Sequence, residues 1–198
     1  MQAICTRIEG MIISYHGTEC FKISQGSLSL VLNPQSKMSA DITLFTTGRN
    51  EIAEKSGFII DGPGEYEIKD IFIKGFFSVG PNKKINTIYL ISFEGMNLCF
   101  LGALSDAALP DETLEAIEDV DILFIPIGNS DMLGPASAYK LAVSLEPSVI
   151  IPMYYTKETL GQFIKEGDEE RVESLDKFVV KKKDLEDKEC EIVVLKEE

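Results

Sequence analysis

The chain has 198 residues, 44% of them hydrophobic, and carries 33 Asp and Glu against 19 Lys and Arg, a formal net charge of −14. A surface of that sign repels phosphate backbones, so nucleic acid and anionic membranes are excluded as expected partners. No stretch reaches the ~18 apolar residues of a spanning helix. Met1–Gly10 holds Arg7 and Glu9 and no apolar run of signal-peptide length, so a cytoplasmic protein with one domain over 1–198 is expected.

The first three quarters read as short strands. Met11–Tyr15 is apolar and ends at His16-Gly17. Cys20–Ser24 and Ser27–Leu32 flank the tight turn Gln25-Gly26. Ile42–Thr46, Phe58–Ile60, Tyr66–Ile68 and Ile71–Lys74 follow, with Asp61-Gly62-Pro63-Gly64 as a turn among them. Thr87–Phe93 and Asn97–Leu101 flank Glu94-Gly95-Met96, which predicts a hairpin.

After Leu101 the pattern alternates between helix and strand. Pro110–Ile117 has helical spacing, with Pro110 in the first turn and acidic Asp111 and Glu112 behind it. Asp121–Pro126 and Ser148–Met153 are buried strands by their continuous apolar runs. Pro135–Leu145 is a helix whose Ala136, Ala138 and Ala142 permit close packing. Thr156–Lys165 is a short helix, and Phe178–Lys181 and Glu191–Leu195 are strand-like pieces in a charged tail. Strands first and βαβ units later predict an α/β sandwich with mixed sheets.

Two residue counts limit the chemistry. Cys5, Cys20, Cys99 and Cys190 are widely spaced and form no CxxC pair, so reduced, buried thiols are expected. His16 is the single histidine, whereas mononuclear catalytic zinc sites use two or three histidines or cysteines. No G-x-S-x-G elbow occurs, and Cys20, four residues after His16, fits plain packing as well as a nucleophile.

The order of the motifs carries a resemblance. Tyr15-His16-Gly17-Thr18-Glu19-Cys20-Phe21 is followed by Val31-Leu32-Asn33-Pro34, then by Asp41-Ile42-Thr43-Leu44-Phe45-Thr46-Thr47-Gly48-Arg49-Asn50-Glu51. Asp61-Gly62-Pro63-Gly64-Glu65-Tyr66-Glu67 comes next, then Leu101-Gly102-Ala103-Leu104, Asp121–Gly128 and Val149–Tyr155. In this order they resemble the metallo-β-lactamase superfamily, nearest to its small bacterial metal-dependent hydrolases similar to L-ascorbate-6-phosphate lactonase. The resemblance implies a four-layer αββα sandwich with two mixed β-sheets. It also implies one or two metal ions, zinc in the family, at the edge of the sandwich, whose bound hydroxide attacks an ester, lactone, amide or phosphodiester.

The metal motifs themselves depart from that pattern. The family's T-H-x-H-x-D-H reads Thr46-Thr47-Gly48-Arg49-Asn50-Glu51-Ile52, its G-D reads Gly102-Ala103, its P-M-H reads Pro152-Met153-Tyr154, and its L-D-P reads Leu32-Asn33-Pro34. No histidine lies between Phe76 and Gly80 either. Ile52 and Ala103 cannot ligate a metal, and a permanent cation at Arg49 repels one. No cofactor is therefore expected, and a non-catalytic binding or interaction module is. The remnant pocket is read as His16, Asn33, Thr47, Arg49, Glu51, Ala103 and Tyr154. Arg49 is expected to pair with a carboxylate such as Glu51 or Asp131, or to meet a small anionic ligand; a protein partner is the other expectation. The alternative is a divergent hydrolase, metal-free or holding magnesium or calcium on Glu51, Asp106 and Asp131.

Overall fold

The computed structural model describes residues 10–48, 57–128, 131–169 and 171–198. Its first sheet is built from β1 (Met11–Tyr15), β2 (Phe21–Gln25), β3 (Leu28–Leu32), β4 (Ile42–Leu44), β5 (Phe58–Ile60) and the late β13 (Phe178–Val180), in the order β13-β1-β2-β3-β4-β5. The strands β13 to β3 pair antiparallel, and β3, β4 and β5 pair parallel.

The second sheet contains β6 (Gly64–Ile68), β7 (Ile71–Val79), β8 (Ile85–Phe93), β9 (Met96–Phe100), β10 (Ile122–Pro126), β11 (Val149–Met153) and β14 (Glu191–Ile192). Its order is β14-β11-β10-β9-β8-β7-β6. It is antiparallel from β6 to β9 and parallel from β9 through β10 and β11 to β14. Both sheets are thus mixed. The β8–β9 hairpin turns on Glu94 and Gly95, both at positive φ (52° and 75°), the two-residue geometry that matches strand twist.

The two sheets face one another across an apolar layer. Phe21 from the first sheet meets Phe124 and Phe100 of the second, with ring centroids 4.9 and 6.0 Å apart, and the latter two lie 5.5 Å from each other. All three rings are fully buried. A second apolar layer lies beneath α2 (Pro135–Ser144) and α3 (Lys157–Glu166), where Ala138, Leu141, Ala142, Phe163 and Ile164 cover Leu123, Ile125 and Ile150. The strands β10 and β11 are buried on both faces, which is why their sequences are continuously apolar. The helix α1 (Asp111–Ala116) starts after Pro110 and carries Asp111 and Glu112 in its first turn.

Two stretches differ from the sequence reading. The strand β7 runs nine residues, past Lys74 to Val79, because its register with β8 continues from Phe72 opposite Ser92 to Val79 opposite Ile85. Glu191–Leu195 is two strands instead of one. Glu191–Ile192 pairs with β11, while β15 (Val194–Leu195) pairs with β12 (Ser174–Leu175). The tail is pinned again where the Lys182 ammonium sits 2.7 Å from both oxygens of buried Asp121. Among the described residues no helix is long and apolar enough to cross a membrane.

Candidate functional site

The loops that leave β1, β3, β4, β9 and β11 meet at one end of the sandwich. Each carries one of the residues singled out from sequence. Asn33 follows β3 and holds a left-handed backbone (φ 44°). Its side-chain amide spans to Thr46 just beyond β4: Asn33 Nδ2 donates to Thr46 Oγ1 at 3.1 Å, and Thr46 N–H donates to Asn33 Oδ1 at 2.9 Å. Both residues are buried. Tyr154 follows β11, also at positive φ (57°), and its N–H donates to the Thr18 carbonyl at 2.8 Å. A bulky residue in that conformation is uncommon and is held there by its surroundings.

The centre of this arrangement is Glu19, a residue the sequence reading passed over. It is 5% exposed. The Thr46 hydroxyl donates to Glu19 Oε2 at 3.3 Å, and the Tyr154 phenol is close enough to this carboxyl to oppose the effect of burial on it. Burial raises the Glu19 pKa above its ordinary value of 4.5, against the lowering effect of the two hydroxyls. Burial, and then the Glu19 charge, push the Tyr154 phenol upward as well.

Ala103 is held by a second polar cluster. Asn86, fully buried on β8, accepts the Ala103 N–H at 2.9 Å and donates to the Leu101 carbonyl at 2.9 Å and to Ser78 Oγ at 2.7 Å. Gly102, at φ 61°, has no room for a side chain, since a Cβ would stand 2.4 Å from Asn86 Oδ1 and 2.8 Å from Thr46 Cβ. Thr47 lies beside this cluster but is exposed. His16 sits at the end of β1 with Nε2 3.1 Å from Ser14 Oγ and 3.7 Å from Glu198 Oε2. Arg49 and Glu51, and with them the ion pair expected of Arg49, lie outside the described residues.

This donor set does not fit the metal that the fold family implies. Zinc takes three or four nitrogen, sulfur or carboxylate ligands, and the matching described positions hold Asn33, Thr47, Ala103 and Tyr154. Among the described residues no three His, Cys, Asp or Glu side chains come together. Asp106 is exposed and accepts the Ala108 N–H, and Asp131 is exposed on its own loop. The Cys20 thiol is buried 3.7 Å from Met38 Sδ, and burial pushes its pKa up to about 11, the opposite of an activated nucleophile. Cys99 and Cys190 are likewise free thiols.

Glu19 gives the site a testable signature in stability. A carboxyl whose pKa is raised on folding binds its proton more tightly in the native state. That contribution is full below the unfolded pKa and is lost as pH rises through the folded one. Glu19→Gln removes the titration, so the melting temperature of the variant should gain on that of the parent between pH 4 and pH 7. A gap that stays constant across this window would show that the carboxyl is not desolvated.

Two mixed sheets face to face, with helices outside and the site in the loops at one end, define a sandwich of the metallo-hydrolase type. Residues 12–154 match the model of the beta-lactamase superfamily domain, and the chain belongs to that family. A UPF0173 metal-dependent hydrolase of Listeria innocua is 24% identical over 222 residues, covering 85% of this chain and 94% of the relative. A Thermotoga maritima structure of the metallo-beta-lactamase superfamily superposes with a TM-score of 0.80 at 27% identity, covering 93% of this chain and 98% of that one. The Bacillus subtilis metallo-beta-lactamase fold protein YhfI, at 8% identity, shares the fold with a TM-score of 0.64 over 95% of this chain and 97% of its own.

Proposed function

We propose that this chain is a member of the family that has given up metal-hydroxide chemistry and serves as a non-catalytic binding or interaction module. One observation carries the reading: Asn33, Thr46 and Glu19 are hydrogen-bonded in a chain, with the Tyr154 phenol acting on the same carboxyl, at the sheet ends where the family's metal motifs fall. Side chains that satisfy one another leave few free lone pairs for a cation to collect. The place of the chain beside the lactonase-like branch, and its cytoplasmic location, belong to the same proposal and rest on motif order and on widely spaced cysteines that suit a reducing compartment.

Metal content is the test. Elemental analysis of the purified protein, before and after dialysis against excess Zn²⁺, Mn²⁺ and Mg²⁺, should return well under one ion per chain. One or more retained ions would overturn the reading and favour a divergent hydrolase, with Glu19, Glu51, Asp106 and Asp131 as the residues to mutate next.

A further inference from the structure

Beside Tyr154 the surface opens into a cavity of about 530 Å³ whose walls include Tyr15, Tyr154, Tyr155, Met132 and Glu197. No lysine or arginine is among its described lining residues. We infer that this cavity is a binding site for an organic ammonium cation, caged by the Tyr154 and Tyr155 rings and the Glu197 carboxylate. The inference rests on the non-catalytic reading above and names the ligand class of that same end of the fold.

The hydroxyls of the three tyrosines are all spent on the protein. Tyr15 donates to the Thr18 carbonyl at 3.1 Å, Tyr155 donates to the Leu195 carbonyl at 2.9 Å, and Tyr154 is engaged by Glu19. Their polar tips are therefore fixed. Tyr15 is buried with its ring against Phe21 at 4.8 Å as well as Tyr155, so the ring surface left for a ligand is that of Tyr154 and Tyr155. Tyr15 and Tyr155 are stacked, with centroids 6.0 Å apart and planes 28° from parallel. The π-face of such rings attracts a cation and gives an anion nothing.

The charge at the rim has the same sign preference. Glu197 is exposed, and its carboxylate lies over Gly17, where a Cβ would come within 2.8 Å of its Cδ. Among the described residues it has no cationic partner, whereas neighbouring Glu198 is matched by Lys177 at 3.1 Å. Its charge reaches the cage: behind burial, it is a cause of the upward push on both the Tyr155 and Tyr15 phenols. The other wall, the amino end of α3, is of a kind that suits an anion but is closed on itself. Thr156 and Thr159 form a reciprocal capping box there, with the Thr159 N–H donating to Thr156 Oγ1 at 3.2 Å. The net charge of −14 concentrates cations around the whole molecule. The anionic ligand expected from sequence depended on Arg49, which is not among the described lining residues.

Tetramethylammonium chloride tests this by calorimetric titration at constant ionic strength, with tert-butyl alcohol as the neutral isostere and inorganic phosphate as the anion. Tetramethylammonium should bind at least about tenfold more tightly than the alcohol, and phosphate should give no heat. Glu197→Gln should weaken the cation about fivefold, while Tyr155→Phe, which keeps the ring, should stay within about twofold of the parent. Equal binding of cation and alcohol, an unchanged Glu197→Gln, or preferential binding of phosphate would each overturn the inference. None of these results depends on metal content, so a metal-free protein that ignores tetramethylammonium would defeat this inference alone. A protein that retains zinc would defeat the reading beneath it.

Discussion

Asn86→Leu should lower the unfolding free energy by about 3–5 kcal/mol. Leucine keeps the branching and heavy-atom count of asparagine but replaces its amide by two bulkier methyls, so the loss combines the polar contacts with some overpacking. The native amide accepts from Ala103 N–H and donates to the Leu101 carbonyl and Ser78 Oγ. Asn86 itself is fully buried. Each buried partner left unsatisfied costs about 1–3 kcal/mol. For a chain of this length about 2–4 °C of melting temperature follows each kcal/mol, so a fall of about 10 °C is expected by calorimetry. Ser78→Ala removes two hydrogen bonds, one accepted from the Asn86 amide and one donated to the Asn86 backbone carbonyl, and should lose about 1–3 kcal/mol. If Asn86→Leu melted within a degree or two of the parent, the Leu101–Ala103 turn would have to be held by something other than this side chain.

Phe124→Ala should cost about 3–5 kcal/mol by a different route, the removal of apolar contact and the cavity left behind. Phe124 lies on the central strand β10 and touches Phe21 across the sheet interface as well as Phe100 on its own sheet. Both sheets are rigid frames, so the void cannot close by a small shift. Equilibrium urea unfolding should show the midpoint drop with the slope unchanged. Tyr139→Leu offers the contrast: its ring meets Phe163 edge-on between α2 and α3, and it is only partly buried. Its cost should stay near 1 kcal/mol. Equal losses at the two positions would mean that the intersheet layer is no better packed than the helical one.

Much of the sandwich could be read from residue patterns, and the reason is periodicity. The strands β10 and β11 announce themselves as apolar runs because both faces are covered, and Glu94-Gly95 marks a hairpin because only a few residues take positive φ cheaply. The full length of β7 escaped the reading because Gly75 and the adjacent Phe76-Phe77 interrupt its alternation, while the pairing with β8 continues regardless. The split at Val193 escaped it because nothing local reveals that two adjacent dipeptides pair with different strands. At the site, Asn33, Ala103 and Tyr154 were singled out by departures from a motif, and they do lie at one end of the fold. Glu19 was missed because a single acidic residue between Thr18 and Cys20 looks like an exposed turn. Its burial comes from the later arrival of Thr46 and Tyr154. One signal was available: Glu19 immediately precedes Cys20 and Phe21, the start of a buried strand.

The tail strands bear on how the molecule is made. The edge of the first sheet is completed by β13, which pairs with β1, and the edge of the second by β14, which pairs with β11. On the ribosome β1 therefore emerges long before its outer neighbour has been translated. Until then Met11–Tyr15 presents one row of unpaired backbone groups, the template on which other chains can assemble. Ordering by such distant pairings is slow. The nascent chain is thus most exposed to self-association late in synthesis, and a crowded cell at high expression should feel this before any mature copy does.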